Sequence, residues 1–66
     1  MEEKELKNFL QNEASSFAGT NFNMLQDYNR GYIEGRLSMI NEVFWELGDF
    51  RFLEYRHGNL IDKSKE

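Results

Sequence analysis

The sequence holds a single histidine, His57, and no cysteine beside which it could work. A thiolate nucleophile, a thiolate metal site and a disulfide are excluded at once. With a single imidazole, carboxylates alone are left to complete any metal site, whereas zinc and its neighbours favour several His or Cys ligands. Read as the end of a helix before Gly58, His57 is better suited to meet a helix dipole than to act as a general base. The patterns G-x-S-x-G, H-E-x-x-H and the calcium-binding EF-hand loop do not occur, and no Gly-rich loop follows a strand-like run. A chain of 66 residues also has little material for a water-excluding pocket. The expectation is no enzyme, no cofactor and no metal.

Charge narrows the choice of partner. Twelve acidic residues against eight basic ones give a net charge of −4. Nucleic acids and anionic membranes are bound through clustered Lys and Arg, so neither is expected as a partner. Arg51, Arg56, His57, Lys63 and Lys65 form the one basic cluster, and Asp49, Glu54 and Asp62 dilute it. Asp27, Glu34, Glu42, Glu46 and Asp49 form an acidic flank, which reads as a solvated face or as an imitation of a phosphate backbone. No stretch approaches the roughly 18 apolar residues of a membrane span. The opening Met1-Glu2-Glu3-Lys4-Glu5 has no secretory pattern. The expected location is the cytoplasm.

The elements that would position any interaction surface follow from helical periodicity, because no proline interrupts the chain and Gly19, Gly48 and Gly58 punctuate it. Residues 2–17 place Leu6, Phe9, Leu10, Ala14 and Phe17 on one helical face. Thr20 or Asn21 can cap a second helix, predicted over 22–47. Its apolar residues, from Phe22 and Leu25 through Tyr28, Tyr32, Ile33, Leu37, Met39, Ile40, Val43, Phe44 and Leu47, cover about half its circumference. One neighbour would bury a narrower stripe, so this helix is expected to be central. Asp49 can cap a third helix over 49–57, with Phe50, Leu53, His57, Leu60 and Ile61 on one side. A strand over Phe50–Tyr55 is the alternative, weakened by the want of an evident pairing strand. Residues 62–66 read as a frayed tail. The predicted architecture is an all-α, single-domain, three-helix fold with a long central helix, completed by homodimerisation.

Within that frame Gly31 and Gly35 ask for a reason, since each costs about 1 kcal/mol relative to alanine inside a helix. Spaced by four, they permit a close helix–helix approach, within the chain or across a dimer. Asn29 and Arg36 project into the apolar arc, where polar groups can set register. Arg36 either pairs with a carboxylate such as Glu13 or extends past the seam to water. Trp45 lies towards the polar side of the second helix, either as a binding hot spot or covered by the third segment. The candidate protein interface is therefore Leu25, Gly31, Tyr32, Gly35, Arg36, Met39, Val43 and Trp45.

In general character the chain resembles the short acidic helical proteins of phages and bacterial mobile elements. The expected function is a small protein-binding regulator or inhibitor that docks a helical face on a larger partner. Its alternatives are an acidic DNA mimic or nucleic-acid-linked regulator, and a structural subunit of a larger assembly.

Overall fold

Helix α1 (Glu3–Ser15) forms where Leu6, Leu10 and Ala14 recur at four-residue steps and Glu3 and Glu5 occupy the first turn, near the positive end of the helix dipole. In the computed structural model, which describes residues 2–20 and 26–66, α1 buries Leu10 and Ala14 and leaves Phe9 exposed. The helix unwinds at the paired serines, where the Ser16 N–H donates to the carbonyls of Asn12 and Glu13. Gly19 follows in the left-handed region at φ 87°.

Helix α2 (Asp27–Glu46) buries a single narrow stripe, Ile33, Leu37, Ile40 and Phe44, at steps of four, three and four. The broad arc expected to be buried is thus split. Val43 and Leu47 are half-buried, while Tyr28, Tyr32 and Met39 face outwards, because α1 and the C-terminal segment cover only the side of α2 that carries the stripe. The helix begins at Asp27 after an extended Gln26 rather than running unbroken from 22 as predicted, and Phe22 and Leu25 lie outside the described residues. Its end is a Schellman turn: Asp49 N–H donates to the Phe44 carbonyl and Gly48 N–H to that of Trp45, with Gly48 at φ 78°.

The third helix is corrected by the structure. Residues 53–62 form a β-hairpin, with β1 (Leu53–Arg56) antiparallel to β2 (Asn59–Asp62), so the fold is two helices plus a two-stranded sheet rather than an all-α helical bundle. His57 and Gly58 form the two-residue loop, at φ 54° and 79°, as a type I′ turn requires. The expectation that His57 ends a helix falls with it. The strand does have a partner, Asn59–Asp62, which runs from just past the predicted third helix (49–57) into the first residue of the predicted tail. Tyr55 faces Leu60 across the ladder and Leu53 faces Asp62. Apolar Leu53, Tyr55 and Leu60 thereby share the inner face of the sheet, a period of two that outweighs the weaker helical spacing once the core is there to receive it.

Asp62 ends the hairpin by accepting from Ser64 N–H at 3.0 Å, capping a short 3-10 turn over Lys63–Lys65. The core is one cluster: Leu10 and Ala14 of α1, Leu37, Ile40 and Phe44 of α2, and Leu53 of β1, flanked by Leu6, Val43, Tyr55 and Leu60. Burial of each such Leu or Phe contributes about 1.5–3 kcal/mol.

Candidate functional site

Between α2 and β1 runs an open groove of about 480 Å³. Leu37, Leu53 and Tyr55 give it an apolar lining, with Asn41 between the walls and Trp45 and Phe52 at one end. Trp45 is 61% exposed and Phe52 51%. Trp45 meets Phe50 edge to face, with ring centroids 4.5 Å apart, so the aromatic surface continues past the groove. Acids stand on both walls, Glu34 and Glu42 on α2 and Glu54 on β1. Among the described residues neither Glu34 nor Glu42 has an ion-pair partner, whereas Glu54 pairs with Arg56 at 3.0 Å.

Three attachments hold the β1 wall in place. At the edge of the strand, the Asn41 carboxamide acts as a short stand-in for a neighbouring strand. Its Nδ2 donates to the Leu53 carbonyl and its Oδ1 accepts from Leu53 N–H, both at 2.9 Å. At the tip, Gly19 N–H donates to the Gly58 carbonyl. A Cβ on Gly58 would stand 2.9 Å from the Thr20 carbonyl oxygen, so no side chain fits. Nearby, the Tyr55 hydroxyl donates to the Ala14 carbonyl at the frayed end of α1, and burial pushes the Tyr55 pKa up.

At the root of the hairpin, Asp49 does not cap a helix. Its carboxylate instead accepts from the backbone N–H and guanidinium of Arg51. Arg51 also donates to Gln11 Oε1 at 3.0 Å and lies over the Phe44 ring, 4.1 Å from its centroid. Lys7 of α1 adds a charge 3.7 Å from Asp49. The Arg51 hydrogen bonds, helped by its positive charge and that of Lys7, hold the Asp49 pKa down at about 2. The root is therefore a polar lid over the buried Phe44.

The structure divides the residues expected to share one interface. Trp45 belongs to the groove, whereas Tyr32 and Met39 lie exposed on another side of α2 together with Tyr28, which is 81% exposed. Val43 is half-buried at the margin of the core, and Leu25 lies outside the described residues. Gly31 and Gly35 have open space where a Cβ would stand, so no close helix approach among the described residues explains them. Arg36 pairs with Glu13 of α1, the first of its two expected arrangements, while Asn29 is exposed.

The expected charge clusters are dispersed too. Arg51 and Arg56 are engaged by Asp49 and by Glu54 and Glu66, and Asp49 is withdrawn from the acidic flank. Among the described residues no three His, Asp or Glu side chains converge as metal ligands would. None of their helices is long and apolar enough to cross a membrane.

Asn41, Phe52, Leu53, Glu54 and Tyr55 are groove residues that the helical reading passes over. The available signal was the pair His57-Gly58 between two four-residue runs, since histidine is one of the few side chains enriched at positive φ. Against known proteins, the chain matches no family model, and no curated protein or solved structure matches it significantly.

Proposed function

We propose that this chain is a small protein-binding regulator of the cytoplasm, which docks on a larger protein through the groove between α2 and β1. The observation that carries this reading is the exposure of Trp45 and Phe52 at one end of an apolar, acid-rimmed cleft. Tryptophan is enriched among the residues that dominate binding energy, and contiguous exposed apolar surface marks interaction sites. The groove lies on one side of α2 and uses the hairpin as its second wall, so the docking surface is a helix and a strand edge together.

A second reading, homodimerisation, is supported by a different surface. Tyr28, Tyr32 and Met39 are exposed on α2 beside Gly31 and Gly35, whose missing side chains leave room for a second helix. The two surfaces can be tested separately with a photo-crosslinking phenylalanine analogue placed at Phe52 or at Tyr28, in lysate of the cell of origin. The docking reading expects one discrete heterologous product from position 52, lost when Trp45→Glu is added. A product of twice the chain's own mass from position 28 supports the dimer. A ladder of unspecific products from position 52, unaffected by Trp45→Glu, refutes docking through the groove.

A further inference from the structure

We propose that the segment seated in the groove is a cationic amphipathic helix supplied by the partner protein. This rests on the docking reading above and specifies the shape and charge of what docks.

The first ground is the state of the strand edge. Lys63 N–H donates to the Phe52 carbonyl, so Phe52 faces β2 and the next residue, Leu53, turns its backbone groups away from β2 towards α2. Both of those groups are taken by Asn41. An extended peptide adding to β1 would have to displace that carboxamide, because strand addition draws its affinity from main-chain hydrogen bonds. A helix makes no such demand. Its backbone is satisfied internally, and it is recognised through side chains projecting at i, i+3 or i+4, and i+7.

The second ground is size. The α2 wall extends from Glu34 to Trp45, about 16 Å at 1.5 Å per residue, which accommodates about three turns of a docked helix. The apolar stripe of such a helix meets chiefly the exposed Trp45 and Phe52 at one end and the half-buried Tyr55, over a floor formed by the core residues Leu37 and Leu53.

The third ground is charge. Glu34 and Glu42 flank the groove on one side and Glu54 on the other, while the cation in its lining, Arg51, is held by Asp49. A helix with Lys or Arg along the border of its apolar stripe meets the acids of the α2 wall, unpaired among the described residues, Glu54 on the other wall being already paired with Arg56. Such complementarity speeds encounter and sets orientation. Neither described helix of a second copy of this chain is of that kind. Acids outnumber bases in α1, with Glu3, Glu5 and Glu13 against Lys4 and Lys7, and in α2, with Asp27, Glu34, Glu42 and Glu46 against Arg30 and Arg36.

The test uses the full chain and its only tryptophan, Trp45, as the reporter. Three tryptophan-free synthetic peptides of equal length are titrated against it. One carries leucines at helical spacing among lysines. The second has the same composition in strict alternation, and the third replaces each lysine of the first with glutamate. The expected result is saturable binding of the first peptide alone, with a blue shift of Trp45 emission and a gain of helical circular dichroism. The double variant Glu34→Lys/Glu42→Lys should weaken this binding by roughly tenfold or more, while its own far-ultraviolet spectrum stays unchanged.

Equal or tighter binding of the alternating peptide overturns the helix. Equal binding of the glutamate peptide, or full affinity in the double variant, overturns the charge argument. If no peptide binds, the inference fails as a whole. A specific crosslink from position 52 alongside any of these failures leaves protein docking standing, and loss of that crosslink removes both.

Discussion

At its tip the hairpin meets, backbone to backbone, the segment that follows α1, with Gly58 so near Thr20 that a single methyl group has no room. At its root the same hairpin is tied to α1 and α2 by charged side chains, Asp49, Arg51 and Lys7, over the ring of Phe44. Tip contact is a matter of shape, indifferent to salt and pH and intolerant of any larger residue. Root contact is a matter of charge, adjustable by solution conditions and tolerant of small displacements. Between them Asn41 holds the strand edge by neutral hydrogen bonds. The groove keeps its second wall only while these unlike attachments act together, so each can be removed by a different perturbation.

The largest effect is expected at the tip. Gly58→Ala has to place a Cβ at φ 79°, which costs about 1–2 kcal/mol, and must also push back the Thr20 carbonyl. We expect a total loss of about 2–3 kcal/mol, a fall in melting temperature of roughly 10 °C or more for a chain of this size. Gly48→Ala is the control, because φ is similar at 78° but nothing stands within 4 Å of its added Cβ. Urea denaturation of the two variants gives the difference directly. Equal losses would mean that the tip contact adds nothing to stability.

An intermediate effect is expected at the edge. Asn41→Leu leaves the N–H and C=O of Leu53 without their partner in a half-buried site, for a loss of about 2 kcal/mol. Hydrogen exchange should show the Leu53 amide losing protection before the ladder amides do. Unchanged protection there would show that Asn41 is not what closes the edge of β1.

The smallest effect is expected at the root, where it should be fullest near neutral pH and shrink in acid. The Asp49 carboxyl has its pKa lowered from the ordinary 3.8 to about 2 in the fold. A depressed folded pKa gives stability that is complete above the unfolded value and is lost as pH falls through the folded one. The melting temperature of the native chain should therefore fall between about pH 4 and pH 2, and that of Asp49→Asn should fall less over the same window. At about 0.5 M salt, where charges are screened within about 4 Å, the Asp49→Asn defect should shrink while the Gly58→Ala defect persists. Parallel salt responses would dissolve the distinction between tip and root.

The helices were legible because their information is local. Leu6, Leu10 and Ala14 recur at helical four-residue steps, Ile33, Leu37, Ile40 and Phe44 at a four-three-four spacing that no strand can satisfy, and Gly48 marks the end of α2 by a conformation other residues resist. The Arg36–Glu13 pair was foreseeable on the same basis, as one of two arrangements open to an arginine in the seam. The hairpin was not legible in this way. Phe50, Leu53, His57, Leu60 and Ile61 satisfy a helical face, while Leu53, Tyr55 and Leu60 satisfy a sheet face, and local spacing favours neither strongly. Without the hairpin the groove has only one wall, so Trp45 could be marked as a surface residue while Asn41, Phe52 and Glu54 could not be marked at all.

Composition and periodicity by themselves determined a cysteine-free acidic chain, two amphipathic helices, their glycine boundaries and a tryptophan away from the buried stripe. Only the tertiary structure decided between helix and hairpin for residues 53–62, because the deciding partners are distant: α1 and α2 supply the apolar surface that receives Leu53, Tyr55 and Leu60. Asn41 then satisfies Leu53 from twelve residues away, and the Gly19–Thr20 backbone meets Gly58 from the far end of the chain. Such contacts outweigh local propensity because each buried apolar side chain contributes more than the few tenths of a kcal/mol that separate most residues on a propensity scale.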